Sequence, residues 1–77
     1  MKLHEAIAQR VKNLLTQQGL KPYALYKNGG ISRSTISFLL NANIKNVSSD
    51  LIYQICSTLG ITLKDFFNDS LFNNLDD

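Results

Sequence analysis

The sequence predicts an all-α fold, a compact bundle of five short helices, and three observations carry that prediction. Apolar residues recur at spacings of three and four along nearly the whole chain. Nothing alternates at period two over the length of a strand. Glycine and proline fall between the periodic segments rather than inside them. The composition agrees, since 44% hydrophobic and 18% charged residues in a chain of 77 describe one globular domain with a single modest core.

The first periodic segment carries Leu3, Ile7, Val11, Leu14 and Leu15, with Ala6 beside them, and predicts a helix from Leu3 to Gln18. Gly19 is its expected left-handed stop. In LKPYALYKNGG, Pro22 suits the first turn of a short second helix reaching Lys27, and Asn28-Gly29-Gly30 ends it. A third helix starts at Ser32, an N-cap residue, runs to Leu40 and buries Ile36, Leu39 and Leu40. NANIKNVSS reads as a polar loop. A fourth helix begins at Ser48 or Ser49, presents Leu51, Ile52, Ile55, Cys56 and Leu59 on one face, and stops at Gly60. Thr62 and Asp65 have capping-box spacing for a short fifth helix that contributes Leu63, Phe66 and Phe67 to the core. Residues 1–68 form the domain, and residues 69–77 form an acidic tail.

Net charge is only +2, but its distribution is uneven. Residues 1–49 hold seven cations, Lys2, Arg10, Lys12, Lys21, Lys27, Arg33 and Lys45, against Glu5 alone. Residues 50–77 hold Lys64 against Asp50, Asp65, Asp69, Asp76 and Asp77. Such a field draws a polyanion to one end of the molecule and repels it from the other. An uneven solvated surface without a partner accounts for charge alone equally well.

The second and third helices, joined by a turn containing glycine, have the form of a helix-turn-helix unit, whose second helix can lie in a DNA major groove. On a helical wheel centred on Ile36, Leu39 and Leu40, the outward positions are Ser34, Ser37 and Phe38. Arg33 stands in the first turn, where an end-on approach presents it forward. Short hydroxyls permit close approach to bases, and an arginine can fork onto a guanine edge.

Leu25, Gly30, Ile31, the run Ser32-Arg33-Ser34-Thr35-Ile36-Ser37, Asn41, and the later run from Leu59 through Gly60, Ile61, Thr62, Leu63, Lys64, Asp65 and Phe66 to Phe67 carry a further likeness. Through them the stretch from Leu20 to Phe67 resembles the lambda-repressor/Cro-like helix-turn-helix family, also called the XRE family. The resemblance implies a compact five-helix DNA-binding domain, commonly a transcriptional repressor that binds palindromic operators as a dimer. It implies base contacts from Arg33, Ser34, Ser37 and Phe38. It also implies backbone contacts from Lys21, Tyr23, Ser32, Asn43, Lys45 and Asn46.

The sequence departs from the family pattern at several places. Tyr26 stands where a small residue is common, and Gly29 where an aliphatic residue precedes the turn glycine. Pro22 replaces a glutamine that often contacts phosphate. Leu15 and Leu40 occupy the places of an arginine and a glutamate that many members pair, and an apolar contact can replace such a pair without loss.

Other readings stay open at this level. Phe38 touches a thymine methyl, or covers a fourth-helix side chain, or meets a partner subunit. Leu71, Phe72 and Leu75 in the tail fold back on the fifth helix, or make a dimer contact. The whole domain is a DNA-binding regulator, or alternatively a protein-interaction module of antitoxin or adaptor type. Tyr23, Tyr26, His4 and Cys56 read as structural residues. No enzyme is expected, because the serines have only His4 as a potential base, distant in sequence. One cysteine and one histidine make no metal set, and no cofactor or small-molecule substrate is implied. No apolar run approaches the roughly 20 residues of a membrane span, and a cytoplasmic location is expected.

Overall fold

The computed structural model describes residues 1–76; Asp77, the last acid of the expected tail, lies outside the described residues. Five α-helices form in the expected order: α1 (Leu3–Gln17), α2 (Tyr23–Lys27), α3 (Arg33–Leu40), α4 (Ser49–Leu59) and α5 (Leu63–Phe67). A single 3-10 turn over Ser70–Phe72 follows, and no strand occurs among the described residues.

Local chemistry sets the helix boundaries. The side chains of Ser32, Ser48 and Thr62 each accept a hydrogen bond from the backbone N–H three residues on, at 3.2, 3.1 and 3.0 Å, and so start α3, α4 and α5. Glu5 accepts from the Lys2 N–H at 2.7 Å at the start of α1. Three helices end in the same reverse turn. Leu20 N–H donates to the Leu15 carbonyl, Asn43 to Phe38 and Ile61 to Cys56, each with a left-handed residue just before the donor. At α1 and α4 that residue is the expected glycine, Gly19 and Gly60, whereas at α3 it is Ala42, with φ 57°.

The core gathers one stripe from each helix: Ile7, Val11, Leu14 and Leu15 of α1, Leu25 of α2, Ile36 and Leu39 of α3, Ile52, Ile55, Cys56 and Leu59 of α4, and Phe66 of α5. Each fully buried Leu, Ile or Phe here stabilises the fold by about 1.5–3 kcal/mol relative to exposure. Leu15 is buried and Leu40 packs at the margin of the same cluster, so both family ion-pair positions serve the apolar core.

Two expectations are corrected. Leu40 is half-buried rather than buried. Of the three apolar residues assigned to the core from α5, only Phe66 is inside, while Leu63 and Phe67 are each 41% exposed. A helix of five residues makes little more than one turn, so one position faces inward and its neighbours are left at the rim.

The tail folds back. Its 3-10 turn packs against α1, and the Phe72 ring lies 6.0 Å from Phe66 and 5.0 Å from Phe67. Arg10 fixes this segment from inside the protein. Although charged, it is only 8% exposed. Its Nε donates to the Phe66 carbonyl at 2.8 Å and one terminal nitrogen to the Asp65 carbonyl at 2.8 Å. The other terminal nitrogen donates to the Asp69 carboxylate at 3.1 Å. The Phe66 carbonyl, the Asp65 carbonyl that also accepts from the Asn68 N–H at 3.3 Å, and one carboxylate are thereby held by a single side chain. The chain ends also meet: the N-terminal amine contacts the Asp76 carboxylate, and the Asp76 N–H donates to the Met1 carbonyl at 3.0 Å.

Candidate nucleic-acid interface

The turn between α2 and α3 depends on two glycines for different reasons. Gly30 takes φ 66°, a conformation L side chains rarely adopt, and its N–H closes α2 on the Tyr26 carbonyl at 3.2 Å. Gly29 is required by proximity. A Cβ there would lie 2.5 Å from Thr58 Oγ1 and 2.7 Å from the Leu25 carbonyl oxygen. An aliphatic residue at this place would push α4 away from the turn, and the glycine lets them touch.

Beyond that turn α3 packs on α1 and α2 through Ile36 and Leu39, which leaves its opposite face in solvent. Arg33, Ser34, Ser37 and Phe38 are all exposed, Phe38 at 52%. All four residues expected to contact bases therefore stand on one uncovered helical surface. Ser32 is exposed too, but its hydroxyl closes the helix start: it donates to Thr35 Oγ1 at 2.8 Å while accepting from the Thr35 N–H.

The residues expected at the phosphate backbone fall into two groups. Lys21 and Tyr23 line a shallow groove with Leu20, Lys27 and Asn28 at the start of α2. Lys45 and Asn46 lie instead in the loop that passes the first turn of α1, in a groove shared with Leu3 and His4. A neighbouring hollow brings Lys2 to the same His4 and Lys45. Asn43 is exposed at the exit of α3, where its N–H donates to the Phe38 carbonyl at 2.8 Å.

The electrostatics of helix starts divide the molecule. α1, α4 and α5 each carry an acid in the first turn, Glu5, Asp50 and Asp65, which offsets the positive end of the helix dipole. α2 and α3 carry none. Their N-termini keep that partial charge and open N–H groups, a surface suited to anions. Six of the seven cations of residues 1–49 are exposed; the seventh is Arg10, which is buried and paired with an acid of the tail.

Sequence reasoning missed one participant. The Arg33 guanidinium carbon lies 5.5 Å from the centroid of the Tyr26 ring. Tyr26 in turn meets Tyr23 edge-on at 6.1 Å, and the Lys27 ammonium sits 5.7 Å from the Tyr23 ring centre. Tyr26 stood out in the sequence only as a large residue at a small-residue position. Cys56 serves packing: burial pushes its thiol up from the ordinary value, with Arg10 pulling the other way. The described residues contain no cluster of three or more potential metal ligands. Among them no helix is long and apolar enough to cross a membrane.

Two helices joined through a glycine turn, the second packed on the first and on α1 with its outer face bare, form a helix-turn-helix unit. The sequence profile of the Cro/C1-type HTH DNA-binding domain matches residues 10–70, most of the chain, and the protein belongs to that family. No curated protein and no solved structure gives a significant match.

Proposed function

We propose that this protein is a sequence-specific transcriptional regulator, a repressor that places α3 in the major groove of a palindromic site as a homodimer. The observation that carries the reading is the uncovered α3 face: Arg33, Ser34, Ser37 and Phe38 together, on a helix whose start holds no carboxylate. Arg33 forks onto a guanine, Ser34 and Ser37 approach neighbouring base edges, and Phe38 meets a thymine methyl. Lys21, Tyr23, Ser32, Asn43, Lys45 and Asn46 hold the backbone, with phosphate contacts setting register rather than sequence. In a dimer the two copies of α3 sit about 34 Å apart, one duplex turn. Repression then follows from occupying the promoter.

The dimer contact drawn from the tail rests on Leu71, Phe72 and Leu75, all half-exposed, with the exposed Phe67 beside Phe72. A second reading, a protein-interaction module on the same scaffold, is favoured by the bare Phe38 ring. Selection of bound duplexes from a random library at moderate salt separates the two. Enrichment of a palindrome with half-sites one turn apart, bound by a species of twice the monomer mass in sedimentation, supports the regulator. A folded protein that enriches nothing refutes it and leaves the interaction module. Arg33→Ala is expected to lose on the order of 1–3 kcal/mol on the best site and to relax one base pair.

A further inference from the structure

We propose that Tyr26 is a positioning residue for Arg33, holding the guanidinium on its ring so that the arginine meets the groove already aimed. The proposal rests on the reading of α3 as the base-contacting helix.

Arg33 is exposed, and among the described residues its side chain takes part in no ion pair and no hydrogen bond. Its contact with Tyr26, at 5.5 Å from guanidinium carbon to ring centroid, is the interaction that restrains it. An unrestrained arginine loses rotamer freedom when it docks, and that loss subtracts from affinity. Restraint by a carboxylate would also aim the side chain, but it would occupy the N–H donors that a guanine edge requires. A ring face attracts the cation without consuming a donor, so all five N–H groups stay free.

The ring itself is anchored. Tyr26 is half-buried against the core, and the Tyr23 ring meets it at an interplanar angle of 86°. Its carbonyl accepts from the Gly30 N–H, so the ring belongs to the closed end of α2. Arg33 opens α3 just beyond the turn. The cation–ring contact thus bridges the two helices of the unit at the point where one hands over to the other. A smaller residue at position 26 would leave the arginine without this support.

The experiment uses the full chain with Tyr26→Phe, Tyr26→Leu, Tyr26→Met, Arg33→Ala and the Tyr26→Leu/Arg33→Ala double variant. Binding is measured on the selected duplex and on copies changed at each base pair. Tyr26→Phe keeps the ring face and is expected to bind as the parent does. Tyr26→Leu, or Tyr26→Met if leucine unfolds the domain, should weaken the best site about two- to fivefold. The loss should fall at the same base pair that Arg33→Ala relaxes, and should vanish in the Arg33→Ala background. In the free protein, the Arg33 δ-methylene protons should be shifted upfield by the ring, and the shift should disappear with leucine or methionine.

A loss spread equally over all duplexes and persisting without Arg33 would overturn the proposal, because Tyr26 would then act only through packing. Tighter binding by Tyr26→Leu would overturn it as well, showing that the ring competes with DNA for the arginine. If Arg33→Ala leaves every base preference intact, the base-contact reading fails and this inference fails with it. A normal Arg33→Ala effect beside an indiscriminate Tyr26→Leu effect refutes this inference alone.

Discussion

Replacing Arg10 by Met tests whether one buried side chain fastens the end of the chain. Methionine keeps most of the apolar stem but removes donors to the Phe66 and Asp65 carbonyls and to the Asp69 carboxylate, at 2.8, 2.8 and 3.1 Å. Breaking a fully buried pair by removing one partner costs about 3–5 kcal/mol. The Asp69 side chain is 25% exposed, so water recovers part of its loss. A cost of about 3 kcal/mol therefore follows. A chain of this length has a total stability of about 4–12 kcal/mol, so the change is a large fraction of it. In thermal melts followed by circular dichroism it corresponds to a fall of about 12–24 °C. Amide exchange should place the opening locally, at Phe72 and Asn73, whose N–H groups depend on the 3-10 turn. Asp69→Asn keeps an oxygen for the Leu71 N–H that Asp69 now caps at 2.9 Å, and should cost nearer 1 kcal/mol. A Met variant within 1 kcal/mol of the parent, with unchanged exchange in the tail, would refute the clamp.

Three further outcomes are expected. Cys56 should resist a thiol reagent until the domain opens, so that labelling follows global unfolding. Its raised folded pKa stabilises the protein fully below the unfolded value and the contribution is lost as pH rises through the folded one; a labelling rate equal to a free thiol's would contradict this. Gly29→Ala should cost on the order of 1–3 kcal/mol in urea melts, and Thr58→Ala should restore only part, because the Leu25 carbonyl 2.7 Å away remains. Ser34→Glu should raise stability by about 0.3–1 kcal/mol through the α3 dipole, yet weaken DNA binding on every sequence in filter or anisotropy titrations. Unchanged binding would place the α3 start away from DNA.

The helices were legible because amphipathic periodicity and caps are local signals: Ser32, Ser48 and Thr62 announce themselves three residues ahead of the donors they satisfy. The end of α3 at Leu40 was legible too, from the polar run that follows it, but the form of the turn was not, because Ala42 takes a left-handed conformation that glycine would have signalled. A count of charges places Arg10 among the seven cations of residues 1–49 without saying that it is buried. Its place between Ile7 and Leu14 put it on the buried stripe of α1, but its partners lie 55 to 59 residues away and no local pattern names them. The tail offers two fates to the sequence; within a single chain Phe72 packs with Phe66 and Phe67, and the dimer contact stands as the proposal above. The outward residues of α3 followed directly from the wheel, whereas the Tyr26 contact did not, since it depends on how two helices meet across a turn.

The placement of acids links stability to the proposed binding. Three helix starts are compensated by Glu5, Asp50 and Asp65, so the sequence uses this device where only the fold is at stake. α2 and α3 span five and eight residues, short helices that would gain most from the same device, and both lack it. Between Ala6 and Ser49 the chain has no acid at all. A carboxylate in the first turn of α3 would sit where a phosphate or an electronegative groove must approach, and would also offer Arg33 a partner that takes up its donors. The stability forgone at these two starts is thus the counterpart of an open, cationic approach. The arginine that would have added to that charge, Arg10, is turned inward to pair with Asp69 and to hold the 3-10 turn of the tail against α1.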